Sequence, residues 1–489
     1  MGKTILTNNG SGSGGTTTAN TSNNFFQLSN GWIVRRNTEA TSQIVYRTAG
    51  TISNVYVRVT ANSNAGSVTF RTRKNAANGN ASITIAASAT GTFEDTSNTD
   101  TVAAGDKMCY QSTIGGATGT MNYSLLSCIF DASTNYISRL ACDGSNLTSA
   151  STTSYFPLSG QTTGVTSVEA NAQHKIKKAG TFKNLCISIT SNARTTDTVF
   201  TLRLNGADTA LTVTVAGGAA GFTEDTSNTV SVAVDDLLDF KTVTSTGTGT
   251  LVLDNLVVSY ESTTRHGFID AGALGASGEL VVNANTTNYA IPGGETRVYT
   301  TEAEAKLKPR MRINSSFLSI AVGANTVSAT STFNLRVNGA DVTQTLSIGA
   351  NTTGYFHDIT HTDMITATDE FDYQLITGAT GTSMTIRQMS LYSLEQFDRT
   401  KTLSDTKTIG ETSFTRLKAV YKTLGDTTTI GEALARINAF FASIAAQTIT
   451  IGESVVRVAT RPAILKTLSQ TTLITEGMGR LKAVWRLQP

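Results

Sequence analysis

Residues 199–230 read V-F-T-L-R-L-N-G-A-D-T-A-L-T-V-T-V-A-G-G-A-A-G-F-T-E-D-T-S-N-T-V. Apolar side chains take alternate places over Phe200, Leu202 and Leu204, and again over Leu211, Val213 and Val215. A period of two marks a strand with one buried face. Asn205-Gly206 divides the runs, and both residue types tolerate the positive φ of a tight hairpin turn. The stretch therefore predicts a β-hairpin followed by a Gly-rich turn and a further strand.

The same frame occurs three times. Residues 69–100 carry it down to T-F-E-D-T-S-N-T, and 333–354 carry F-N-L-R-V-N-G-A-D, so the frame recurs with a period of about 130 residues. Phe26, Phe156 and Tyr289 align, as do Leu28, Leu158 and Ile291, and the turn aspartates Asp106, Asp236 and Asp369. A shared register of this length reads as a triplicated unit. Eight or more short strands in about 110 residues point to a two-sheet sandwich, with the jelly roll as leading topology. The fold class expected is all-β: three tandem jelly-roll-like domains at 24–152, 153–285 and 286–398, then a repetitive β/α stalk at 399–489. Residues 1–23, rich in Gly, Ser, Thr and Asn, are expected to be flexible unless a partner orders them.

Length and composition agree. A chain of 489 residues exceeds one compact core, and only 15% of it is charged. The net charge of +2 divides unevenly, since 399–489 hold thirteen Lys/Arg against six Asp/Glu. A basic tail on an acidic body offers a face to an acidic partner, although one basic residue per repeat also accounts for it. Cys109, Cys128, Cys142 and Cys186 follow no zinc or C-x-x-C spacing and do not recur between copies, so free, buried thiols are expected. The N-terminus has no apolar run and Leu6 breaks the myristoylation pattern, so neither a secretory signal nor a lipid anchor is expected. No apolar run is long enough to insert in a membrane.

The frame L-R-L-N-G-A…T-V-T-V-A-G-G-A…E-D-T-S-N-T-V-S-V-A-V-D-D-L-L-D-F resembles jelly-roll modules of phage and virus appendage proteins across residues 24–395. In length and closing strand it is also similar to the tumour-necrosis-factor-like jelly roll. The resemblance implies trimeric packing and a fibre, spike or decoration role, with nothing catalytic carried over.

In the tail the period shortens. Ile409-Gly410-Glu411, Ile430-Gly431-Glu432, Ile451-Gly452-Glu453 and Ile474-Thr475-Glu476 mark four repeats of about 21 residues, the last spaced slightly wider. Each copy opens with a Thr-rich extended stretch, and most then become helix-friendly, with Glu432–Arg436, Glu453–Arg457 and Glu476–Arg480 at i, i+4. A repeat so short must stack on neighbours or on other chains, so the tail is expected to be an oligomerisation or attachment stalk. It resembles Thr-Leu-Ser-Asp-Thr repeats of archaeal and viral proteins.

Catalytic chemistry finds little support. No G-x-S-x-G elbow, phosphate loop or dinucleotide fingerprint occurs, and no basic stripe interleaved with aromatics reads as a nucleic-acid site. The histidines are His174, His266, His357 and His361; His357 and His361 lie i, i+4, a metal spacing on a helix but here in a loop between strands. Glu94-Asp95 and Glu224-Asp225, with Asp106 or Asp236, are candidate calcium oxygens, weighed against turn-forming side chains. Trp32 is either a sugar shelf or packing. No catalytic, cofactor or metal residue is assigned and no enzyme activity is expected. The reading is a virion appendage protein at a virion surface or extracellular site, self-associating as a homotrimer. Its partners would be other virion or filament proteins and a host-surface glycan or protein. The alternatives are a filament or adhesin subunit built by strand complementation, a jelly-roll capsid protein and a carbohydrate-binding array.

Overall fold

A computed structural model describes residues 2–9, 16–18, 23–115, 118–162, 165–262, 264–274, 280–396, 449–451 and 454–456. They fall in two units, Met1–Gln396 and Phe397–Pro489. The first unit contains three jelly rolls. In module 1 the eight main strands are Gly2–Asn9, Asn23–Gln27, Gly50–Asn62, Val68–Lys74, Ala77–Ile85, Gly91–Val102, Lys107–Ile114 and Thr120–Ala132. Counted in chain order, the first, eighth, third and sixth strands form one sheet, and the second, seventh, fourth and fifth form the other. Module 2, from Tyr136–Asp143 to Leu251–Ser262, and module 3, from His266–Leu274 to Gly381–Glu395, repeat that order. This two-sheet interleaving is the jelly roll.

Local chemistry explains the regularity. Along Ala77–Ile85 and Ala207–Val215, burial alternates residue by residue toward the core. The turns Asn205-Gly206 and Asn338-Gly339 have positive φ at both residues, 51° and 79°, then 52° and 80°. Their asparagines donate to the turn aspartates Asp236 and Asp369, each at 2.8 Å. Module 1 makes the same turn with Asn75-Ala76, which forces an alanine to φ 65°. Such a turn favours glycine, because a Cβ crowds the backbone there.

The E-D-T-S-N-T segments are bulges within the sixth strand. Val55 pairs with Asp95 but Ser53 pairs with Thr99, so residues 96–98 loop out. Asp95 closes that loop, accepting the Ser97 and Asn98 N–H groups, both at 3.0 Å. Asp225 does the same in module 2. In module 3 the strand is interrupted into Gly354–His357 and Thr362–Ile365 around Asp358.

The module boundaries differ from those expected. Gly2–Asn9, placed in a flexible segment, is a largely buried strand running antiparallel to Thr120–Ala132, with Gly2 opposite Ala132 and Asn9 opposite Leu125. Tyr136–Asp143 pairs with Leu251–Ser262, and His266–Leu274 with Gly381–Glu395. The strands at 136–143 and 266–274, assigned to the ends of the first and second copies, thus open the second and third modules. These first strands, K-T-I-L-T-N-N, Y-I-S-R-L-A-C-D and H-G-F-I-D-A-G-A-L, share no pattern, which is why the repeat did not reveal them.

Their divergence has a physical cause: they meet one another at a hub. The Thr4 hydroxyl donates to the Ile137 carbonyl at 2.7 Å, and the Phe268 N–H donates to the Ser138 hydroxyl at 2.8 Å. Short segments after each second strand wedge between them. Gly31–Trp32 runs parallel to Asn8–Asn9, and Asn30 bridges onward to Leu140 of module 2. Gln161–Thr162 runs parallel to Ala273–Leu274 of module 3. Asn9 closes the ring, its amide donating to the Gly293 carbonyl at 2.7 Å. Polar residues such as Thr4, Asn9 and Asn30 are buried there because exposed strand edges need partners that an aliphatic side chain cannot supply. The backbone approach is close: a Cβ on Gly160 would lie 1.9 Å from the Gly272 carbonyl oxygen. Three jelly rolls therefore pack head to tail in a closed ring within one chain. The first seam joins modules 1 and 2, the second modules 2 and 3, and the third modules 3 and 1.

Three apolar cores result, and each crosses a seam. The core of module 1 takes in Ile137, Ala141, Cys186 and Val257 of module 2. That of module 2 takes in Phe268 and Tyr392 of module 3, and that of module 3 takes in Ile5, Tyr56, Leu125 and Ile129 of module 1. Burying one such side chain is worth about 1.5–3 kcal/mol, so the seams stabilise the unit as its interiors do.

In the second unit, Ile449–Ile451 pairs antiparallel with Ser454–Val456. A strand at 454–456 departs from the helix expected after Glu453; β-branched Val455 and Val456 favour the extended state. The remaining tail expectations lie outside the described residues.

Candidate functional site

The chemistry-bearing side chains gather at the seams, where equivalent positions carry different residues. Ile44, His174 and Leu307 occupy one seat, each paired to the seventh strand of its module, opposite Met108, Leu238 and Phe371. At the second seam the first-strand residue that meets this seat is Asp270, whose equivalents in the other modules are Ala141 and Thr7. The second seam is thus built on a buried polar cluster. Asp270 accepts from the Ser159 hydroxyl at 2.7 Å and lies 2.6 Å from His174 Nδ1, both on Oδ2, while the Gln388 amide donates to Oδ1 at 2.9 Å.

Ser159, His174 and Asp270 have the composition of a hydrolase triad, and nothing in the sequence signalled it because Ser159 and His174 belong to separate segments of module 2 and Asp270 to module 3. The geometry is not that of a triad. A nucleophilic serine needs the imidazole between itself and the acid. Here the acid stands in the middle, and all three side chains are at most 2% exposed. The cluster joins modules and offers no nucleophile.

A second repeated position sets ion pairs across the seams. Arg47 of module 1 meets Glu224 of module 2 at 2.6 Å, and Arg310 of module 3 pairs with Glu94 of module 1. At the second seam the corresponding residues are Lys177 and His357. Lys177 instead donates to Asp235 of its own module at 2.5 Å. Burial, then the charges of Lys177 and Lys175, push the His357 imidazole down to about 3, so it is neutral at physiological pH.

The candidate calcium carboxylates are therefore engaged otherwise. Glu94 and Glu224 bridge modules. Burial raises Asp95, but the donors from Asn98, Ser82 and Ser97 outweigh it and hold the carboxyl below its usual range. Asp106 accepts from the Ala103 N–H at 2.7 Å and the Asn75 amide at 2.6 Å, and Asp236 from Ala233 and Asn205 likewise. His357 is half-buried at the end of a strand rather than in an exposed loop, with Nδ1 2.8 Å from the Ser319 hydroxyl. His361 points elsewhere, onto Asp358 at 2.9 Å. Among the described residues no group of three His, Cys, Asp or Glu is placed to hold a metal ion. Burial, then the charge of Lys178, lowers His266 to about 4.

Each module also carries a Glu–Arg pair on its outer sheet: Glu39–Arg73 at 2.8 Å, Glu169–Arg203 at 2.9 Å and Glu302–Arg336 at 3.2 Å. Beside each glutamate the seventh strand places Cys109, Asp239 or Asp372. Burial first, then the neighbouring glutamate, raises Asp239 and Asp372 to about 8. Protonated, they are neutral neighbours of the glutamate, as is the Cys109 thiol, whose Sγ lies 3.8 Å from Glu39. All four cysteines are buried and free, as expected, and burial raises Cys128 and Cys186 to about 12. Trp32 is half-buried at the hub, which agrees with packing rather than an open sugar shelf.

No family model matches the chain, and no curated protein matches it. Among solved structures, one match is a chain described under the triple jelly roll fold and turret assembly in an archaeal virus. It is 14% identical, with 72% of this chain and 81% of that chain covered and a TM-score of 0.14. The fold assignment rests on the strand order given above. Among the described residues no helix is long and apolar enough to cross a membrane.

Proposed function

We propose that this is a non-enzymatic virion structural protein of the appendage type, a fibre, spike or decoration component at the virion surface. The observation that carries the reading is the closed ring of three jelly rolls in one chain, joined through buried hub strands. Jelly rolls of this two-sheet kind serve as viral shell and lectin domains, where rigid packing rather than turnover is the task. The titratable cluster at the second seam is buried and mutually satisfied, which supports an architectural role. The three modules already pack against one another within one chain, which supports the proposal that self-association into a homotrimer runs through the tail at 399–489 rather than through the modules.

The pairing of Gly2–Asn9 within the sheet of its own module favours the appendage reading over a filament built by strand donation. Labelling intact particles with an antibody against Met1–Gln396, followed by electron microscopy, tests the proposal. Surface labelling is the expected result, and particles that carry none of the protein would overturn it. Light scattering of the full chain beside a chain ending at Gln396 tests the assignment of self-association. The shorter chain should be monomeric, and a trimer of it would move self-association back to the modules.

A further inference from the structure

Arg194 ties together the loops at one end of module 2. It is 1% exposed, and its guanidinium donates to four main-chain carbonyls: Ser149 and Gly249, both at 3.2 Å, Ser245 at 2.9 Å and Gly247 at 2.7 Å. None of these partners is a carboxylate. Carbonyl dipoles therefore face the buried positive charge there, and burying such a charge without them would be prohibitive.

The same backbone position exists in the other modules. Asn64, Arg194 and Val327 each donate their N–H to the side chain of an asparagine two residues earlier, at 3.0, 3.0 and 2.9 Å. In modules 1 and 2 the facing loop follows one course. The Ser63 N–H reaches the Thr120 carbonyl as the Ala193 N–H reaches Thr250, each at 2.8 Å, and Gly119 and Gly249 share φ values of 113° and 107°. The carbonyls of Gly115 and Gly119 are thereby placed as those of Ser245 and Gly249 are.

Only the side chain in the seat changes. In module 3, Val327 fills it with an apolar group that belongs to the core. In module 1, Asn64 is 0% exposed, and neither its Oδ1 nor its Nδ2 has a hydrogen-bond partner among the described residues. An asparagine is several atoms shorter than an arginine, so its amide stops short of carbonyls that a guanidinium reaches. Native interiors seldom leave a buried amide unpaired, and a bound water or ion is the usual remedy. Neutral oxygens in a seat that the sister module gives to a cation suit a singly charged ion, as rings of carbonyls do in ion channels. Calcium and magnesium draw on carboxylates instead.

We propose that module 1 binds an alkali-metal cation, Na+ or K+, through Asn64 Oδ1 and the carbonyls of Gly115 and Gly119, in the seat that the Arg194 guanidinium takes in module 2. Thermal unfolding of the full chain in NaCl, KCl and choline chloride at equal ionic strength tests it. At about tenfold excess over its Kd the ion should raise the midpoint by about 2–4 °C over choline, and the larger of the two shifts identifies the ion. Asn64→Arg, which copies module 2, should unfold at one temperature in all three salts. Should that variant fail to fold, Asn64→Val copies module 3 and carries the same expectation. Equal midpoints of the unaltered chain in the three salts, the result for a buried water alone, would overturn the proposal. So would a difference between salts that persists in either variant. None of these outcomes bears on the virion role, which particle labelling reads separately.

Discussion

The second and third seams solve one packing problem with opposite chemistry. The third is closed by Ile5, Leu125, Ile129 and Leu307 in a continuous apolar core. The second is closed by Asp270, His174, Ser159 and Gln388, satisfied by one another. Three identical chains would have to use one seam chemistry three times. A single chain with three copies is free to make each seam different, so each module has one correct neighbour. A buried polar cluster is a costly joint but a selective one, because a wrong neighbour leaves it unpaired.

The seams are most directly broken at Gly160, which has φ +96° and lies against Gly272. Gly160→Val should cost about 4 kcal/mol or more and open the second seam, as read by urea denaturation. Asp270→Ala strands three buried polar groups and should cost about 3–4 kcal/mol, more than the roughly 2–3 kcal/mol of Leu125→Ala at the apolar seam. Equal losses would mean that the polar cluster is no more selective than packing.

Asp239 and Asp372 sharpen the comparison between modules. Folded, they hold a proton up to about pH 8, whereas an unfolded aspartate releases it near pH 4. Between those values the folded state binds more protons, so their contribution to stability is complete below about pH 4 and is lost as pH rises toward 8. Asp239→Asn with Asp372→Asn should flatten that decline and add on the order of 2 kcal/mol at about pH 8, measured by denaturation across the range. Module 1, with Cys109, serves as the internal control.

Reversing Glu224 to Lys should cost about 1 kcal/mol, with Arg47→Glu restoring most of it, and salt should shrink both effects. The smallest change is Ala76→Gly, which gives module 1 the turn residue of its sisters. It should add roughly 0.5–1 kcal/mol in thermal or urea unfolding.

Much of the fold was legible in the chain. Alternation over Phe200–Leu202–Leu204 and the Asn-Gly turns specified strands and hairpins, because those depend on near neighbours along the backbone. The repeat, with its period of about 130 residues, specified three modules. Module borders were not legible. Residues 2–9 read as a polar, flexible stretch because Thr4, Asn8 and Asn9 are polar, yet they are buried. Their partners lie far along the chain, at the closing strand of module 1 and in the other modules.

The candidate site divides along the same line. Glu94, Glu224 and His357 were visible as residues, but their roles depended on Arg310, Arg47 and Lys177 across the seams. Strands, turns and threefold copying could be read from the residues in order, because contacts within a hairpin settle them. Three-dimensional packing was needed to close the copies into a ring and to bring Ser159 and His174 of module 2 against Asp270 of module 3 as a joint. Those outcomes turn on which surfaces are brought face to face, and a linear pattern does not encode that.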